Sequence, residues 1–91
     1  MKKAYIFQDD GFCTGIIVSG RREKSRFFSE DATSVARELY RNGIRKQEHY
    51  YFSLPPEDVE LNQNFTLIKP DFLSKENEKR FRRSLAHMKR Y

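Results

Sequence analysis

Residues 29–43, Ser-Glu-Asp-Ala-Thr-Ser-Val-Ala-Arg-Glu-Leu-Tyr-Arg-Asn-Gly, constrain the fold more than any other stretch. Ala32, Val35, Ala36, Leu39 and Tyr40 recur at i, i+3, i+4, i+7 and i+8. That spacing gathers apolar side chains into one stripe of an α-helix. Both ends are marked. The Ser29 hydroxyl is placed to accept from a backbone N–H that has no intrahelical partner. Glu30 and Asp31 put negative charge at the positive end of the helix dipole. Arg41 stands in the last turn, and Gly43 can take the left-handed conformation that stops a helix. A helix with one apolar stripe needs a sheet or another helix to cover it.

The residues before it read as strands. Residues 4–8 place Ala4 and Ile6 on one face and Tyr5 and Phe7 on the other, so neither face is polar. Either both faces are covered or the aromatic one binds something. Asp10-Gly11 suits a two-residue hairpin turn with positive φ. Phe12–Ser19 forms a second strand, in which Gly15 marks a bulge or a close approach of another backbone. Residues 25–28 form a short third strand that runs into the helix. Beyond the helix, residues 49–54 (His-Tyr-Tyr-Phe-Ser-Leu) make a fourth candidate strand, ended by Pro55 and Pro56. Residues 65–69 make a fifth, ended by Pro70. Ser74 resembles another helix cap, and the helix it starts runs to about residue 89 with a narrow stripe of Phe81, Leu85 and Met88. The expected fold is α+β: an antiparallel sheet of four to five strands, one central packing helix and a basic C-terminal helix. Residues 1–91 form a single domain, and 70–74 is the joint at which 74–91 would separate from a 1–73 core.

The order of elements between Tyr5 and Ile44 is strand, Asp-Asp-Gly-Phe turn, strand and an Asp-Ala-Thr helix start. It loosely resembles the small antitoxins of the HicB type, and the resemblance implies a partial RNase H fold. It covers under half of the chain. The Pro-Gly element usual in that family is replaced here by Gly20-Arg21-Arg22.

Composition excludes several classes. Charged residues make up 34% of the chain, and no apolar run approaches the length of about 18 residues that a membrane span needs. The start, Met-Lys-Lys-Ala-Tyr-Ile-Phe-Gln-Asp-Asp, turns acidic too early for a signal peptide. The lone cysteine, Cys13, forms no internal disulfide and points to a reducing, cytoplasmic setting. Cys13, His49 and His87 lack metal-ligand spacing, so no metal and no cofactor is implied. Cys13 reads as a small core hydrophobe rather than a nucleophile. Asp9 and Asp10 read as turn residues rather than a carboxylate pair. With no Gly-rich phosphate loop and no nucleophile elbow, an enzyme is not expected.

Charge is the functional signal. The net charge is +5, and residues 74–91 carry all of it: seven bases against Glu76 and Glu78. Lys79, Arg80, Arg82, Arg83, Lys89 and Arg90 fall on several sides of the C-terminal helix, where they could meet phosphates. A second basic cluster, Arg21, Arg22, Lys24 and Arg26, lies in or beside the second hairpin. Tyr51 could stack on an unpaired base. These residues point to a small non-enzymatic nucleic-acid-binding protein, whether for DNA or RNA. The alternative is a protein–protein interaction module, an inhibitor or adaptor of an acidic or nucleic-acid-associated protein. Its contact surface would be the aromatic strand at 49–54 or the Tyr5/Phe7 face.

Overall fold

A computed structural model describes residues 1–62 and 66–89. β1 (Lys2–Asp9), β2 (Phe12–Ser19) and β3 (Arg22–Ser29) follow one another as an antiparallel meander. Asp10 and Gly11 turn the first hairpin with φ of 53° and 85°. Two successive positive φ values are what lets so tight a turn follow the strand twist. The chain continues through α1 (Ala32–Arg41), a 3-10 turn at Gln47–His49, β4 (Tyr50–Tyr51), β5 (Pro70–Asp71) and α2 (Lys75–Met88).

The strand order is β3-β2-β1-β4, and β5 pairs with the far end of β1. β4 runs parallel to β1, setting Ala4 beside Tyr50 and Tyr5 beside Tyr51. β5 is antiparallel to β1. The five-stranded sheet is therefore mixed, where an antiparallel one was expected. The reason is the crossover: α1 carries the chain back along the sheet, and a strand reached that way enters parallel. The strand expected at 49–54 shrinks to two residues. Phe65, in the fifth strand expected, lies outside the described residues. Residues 66–69 form no strand, and the pairing falls on Pro70 and Asp71 instead.

Both faces of β1 and β2 are covered, which explains their lack of a polar face. On one side Ala4, Ile6, Cys13 and Ile17 pack with Ala32, Val35, Ala36 and Leu39 of α1 and with Phe81 and Leu85 of α2. On the other, Phe7, Ile16 and Val18 lie under Leu54, Val59, Leu61 and Leu67 from the β4–β5 connection. Two carboxylates fasten that connection. Asp9 Oδ1 accepts from the backbone N–H of Ile68 at 2.9 Å and of Lys69 at 2.7 Å. Glu23 Oε1 accepts from the N–H of Asn62 at 3.0 Å.

The helix starts differ from each other. α1 is capped by Asp31, whose carboxylate accepts from Thr33 N at 3.0 Å. Ser29, the expected cap, still belongs to β3 opposite Cys13, and its hydroxyl accepts from Asp31 N at 3.1 Å. α2 is capped by Ser74 through Asn77 N at 3.2 Å. Phe81 is fully buried, with ring centroids 5.2 Å from Tyr50 and 5.5 Å from Phe52. Residues 74–88 thus share one apolar cluster with the sheet.

Two substitutions test this packing. Phe81→Ala should cost about 3–5 kcal/mol in chemical denaturation, since it empties a fully enclosed ring site. At Gly15 the close approach is α1: an added Cβ would meet Leu39 Cδ1 and Val35 Cγ1 at 3.0 Å. Both are buried side chains with little room to move, so Gly15→Ala should destabilise by roughly 1–3 kcal/mol.

Candidate nucleic-acid interface

α2 presents its bases because its short apolar stripe is fully engaged below. Phe81 and Leu85 face the core, Met88 is half-buried against it, and Lys79, Arg80, Arg82, Arg83 and Lys89 are exposed. Glu76 and Glu78 moderate this charge. Arg80 pairs with Glu76 at 2.8 Å, while Glu78 lies 3.4 Å from Lys75 and 3.8 Å from Arg82. Arg90 lies outside the described residues.

The bases divide between the two flanks of the helix. On one flank Arg82 lines an open hollow of about 400 Å³ with Gln47, Tyr50, Tyr51, Phe52 and Ser53. Its guanidinium stands 4.8 Å from the centre of the Phe52 ring. Burial pushes the Tyr50 hydroxyl up from its ordinary pKa, and the neighbouring Arg82 pulls the other way. Tyr51 stacks on Tyr5, with centroids 5.6 Å apart and planes at 23°, and remains 42% exposed. The Lys3 ammonium lies 6.0 Å from the Tyr51 centroid. On the other flank Arg80, Arg83, Ser84 and His87 face Asp31 and Thr33 of α1 across a hollow of about 440 Å³.

The hairpin cluster is less uniform than its sequence. Arg21, Arg22 and Lys24 are exposed, and Arg22 lies 3.5 Å from Glu60. Arg26 points inward. Its side chain is 10% exposed and bonds Glu23 twice, at 2.7 and 3.0 Å. It supports the same carboxylate that fastens the β4–β5 connection, so its place is structural. Register sets the hairpin at the same end of the sheet as Tyr51: Lys2 pairs with Ser19, Ser19 with Arg22, and Ala4 with Tyr50. Three inter-strand spacings, about 14 Å, separate β3 from β4.

The aromatic surfaces expected for protein contact are largely interior. Phe7 and Tyr50 are buried, Phe52 is half-buried against Phe81, and from the 49–54 stretch Tyr51 alone is an exposed ring. A different apolar patch is exposed instead. Phe12, Phe28 and Ile68 are 38%, 64% and 74% exposed, and they border a groove of about 220 Å³ with Thr14, Thr66 and Arg26. The sequence signal for it was present. Phe12 and Phe28 point to the face away from α1, near the strand ends where cover gives out.

Among the described residues, no group of three His, Cys, Asp or Glu side chains could hold a metal, and no helix is long and apolar enough to cross a membrane. No protein-family model, no curated protein and no solved structure matches the chain. The likeness of residues 5–44 to HicB-type antitoxins therefore stands on the order of elements alone.

Cys13 is buried, and burial, followed by the negative charge of Asp31, pushes its thiol up from 9.0 to about 12. Little thiolate exists at neutral pH, so native-state labelling by a thiol reagent should be slow. The folded thiol keeps its proton while the unfolded chain releases its own above pH 9.0. The stability this contributes is therefore intact below pH 9.0 and is lost as pH rises toward 12. Denaturation on either side of pH 9.0 should show that decline, and Cys13→Ala should reduce it.

Proposed function

We propose that this is a small non-enzymatic protein that binds nucleic acid. The observation that carries the reading is the shared hollow of Tyr51 and Arg82. A half-exposed ring stands beside a guanidinium, with Gln47 and Ser53 offering hydrogen bonds to the same space. A base can stack on the ring while its phosphate meets the cation, the arrangement used for unpaired strands. Lys3 beside Tyr51, and Arg21, Arg22 and Lys24 about 14 Å further across the sheet end, extend the track by roughly two nucleotides. Lys79, Arg80, Arg83 and Lys89 supply a second, less specific set of phosphate contacts on α2. The exposed Phe12, Phe28 and Ile68 favour a second role in protein contact.

Binding of fluorescent oligonucleotides at several salt concentrations tests this. Affinity should fall steeply with salt, by roughly 0.9 log units per phosphate contact on duplex and 0.7 on single strands. Replacing Arg80, Arg82 and Arg83 by Gln should flatten the duplex slope by about two to three units. Tyr51→Ala should weaken single-stranded binding by roughly 1–3 kcal/mol and leave duplex binding nearly unchanged. No measurable affinity at low salt would overturn the proposal. Loss on duplex and single strands alike in Tyr51→Ala would overturn the stacking role.

A further inference from the structure

The hollow of Tyr51 and Arg82 has an exit. Gln47, one of its lining residues, opens the 3-10 turn, and Arg45 and Lys46 come directly before it. This crossover from α1 to β4 is firmly held. Ile44 is fully buried in the cluster beneath the helices, and its N–H donates to Leu39 O at 3.0 Å. His49 N donates to Lys46 O at 2.9 Å, and Tyr50 is buried beside Ala4 of β1. Arg45 Nε donates to Tyr40 O at 3.2 Å, and its guanidinium stands 4.5 Å from the centre of the Tyr40 ring. The exposed cations at 45 and 46 therefore stand on backbone fixed between two buried anchors.

β1 supplies a third cation. Ala4 and Ile6 face the helices, so alternation puts the exposed Lys2 on that side, two residues before the Ala4–Tyr50 pair. Lys2 pairs with Ser19 and Ser19 with Arg22, so the row reaches β3 across two inter-strand spacings, about 10 Å. Charge here is compensated less than on α2. On α2, Glu76 holds Arg80 at 2.8 Å and Glu78 lies 3.8 Å from Arg82. Among the described residues no carboxylate pairs with Lys2, Arg45 or Lys46. Of the acids near this end, Glu38 is held by Arg41 at 3.1 Å and Glu60 lies 3.5 Å from Arg22. Glu57 and Asp58 adjoin Val59, which packs on the opposite face of the sheet. Glu48 is the one acid between residues 45 and 49.

We infer that a single strand with a base stacked on Tyr51 leaves the hollow over Gln47 and lays its next phosphates on Lys46, Arg45 and Lys2. This rests on the nucleic-acid reading of the hollow and adds the path by which the strand leaves it. A phosphate arriving at these side chains displaces counterions and no carboxylate, so its attraction is not offset by a broken ion pair. The bond from Arg45 Nε to Tyr40 leaves both terminal nitrogens of the guanidinium for a phosphate, and the side chain has less freedom to lose on binding. A stacking ring that continues into a line of cations fits a polymer of bases and phosphates. An acidic protein segment would use the cations and leave the ring idle.

Fluorescence anisotropy of the full chain with labelled oligothymidylates of about four and about twelve nucleotides tests this. Wild type should bind the longer strand more tightly and with the steeper salt dependence. Lys2→Gln, Arg45→Gln and Lys46→Gln together should flatten the slope for the longer strand by about two log units, at roughly 0.7 for each of three contacts. Affinity for that strand should fall by roughly tenfold or more at low salt, while the short strand, held in the hollow, changes little. Removing the same charge elsewhere, by Arg37→Gln, Lys69→Gln and Lys75→Gln, should leave the slope nearly unchanged. All six side chains are exposed, so both triple variants should keep the wild-type circular dichroism spectrum and melting point. Equal losses in the two triple variants, with Tyr51→Ala still weakening both strands, would overturn the path and leave the hollow standing. No wild-type affinity for either strand at low salt would overturn the reading of the hollow and the path with it. Polyglutamate that displaces the longer strand at equal charge concentration would overturn the path in favour of an acidic protein.

Discussion

The structure depends on burying β1 and β2 from both sides at once. Helices on one face are an ordinary solution for an amphipathic sheet, and they leave the other face to water. Here Phe7, Ile16 and Val18 make that face apolar, so something must cover it. The cover is the irregular β4–β5 connection. Among the described residues it is held both by backbone bonds, Glu23 N to Glu60 O, Glu60 N to Arg21 O and Asp10 N to Lys69 O, and by carboxylates. Asp9 and Glu23 accept from three backbone N–H groups of the connection between them. An irregular segment lying over a core must have its backbone polar groups satisfied. At Glu60 a single parallel bridge to Arg22 does so, and at Asn62, Ile68 and Lys69 side chains that reach up from the sheet do so.

That requirement decides which charged residues are available for anything else. Glu23 and Asp9 are committed to the cover, and Arg26 is committed to Glu23. α2, by contrast, docks through a stripe so narrow that Phe81 and Leu85 nearly suffice, and its remaining circumference is free to carry bases. The excess positive charge therefore sits on a helix of 14 residues that buries only Glu78, Phe81 and Leu85. Tyr51 owes its position to the same contact, since Tyr50 turns inward to meet Phe81 and alternation turns Tyr51 outward.

Period and spacing made much of this legible. The i, i+3, i+4 stripe at 32–40 located α1, the Asp-Gly pair located the first turn, and the Ser74 cap located the start of α2. Features that depend on distant residues were not legible. Asp9 looked like a turn residue because its partners, Ile68 and Lys69, are nearly sixty positions away. Arg26 looked exposed because i and i+3 lie on opposite faces of a regular strand. The bulge at Lys24 restores Glu23 and Arg26 to one face, and no local pattern announced that bulge. The direction of β4 was hidden too, since two residues carry no orientation and the crossover through α1 sets it. At the candidate site, the separate residues Tyr51 and Arg82 could be named. Their meeting in one hollow required knowing that α2 lies against β4.

The strand order separates the basic residues into two groups. β4, with Tyr51, and α2, with Arg82, stand at one margin of the sheet, whereas Arg22 and Lys24 belong to β3 at the other. The chain carries 18 lysines and arginines against 13 aspartates and glutamates, so cations are plentiful and the net excess is only five. Acids hold several of them locally: Glu23 pairs with Arg26, Glu60 with Arg22, Glu38 with Arg41 and Glu76 with Arg80. An exposed ion pair of this kind costs little to open, so a base such as Arg22 or Arg80 can exchange its carboxylate for another anion. Arg26 cannot do so as cheaply, because both it and Glu23 are nearly buried. What distinguishes the bases is therefore burial and the depth of their partners rather than their number.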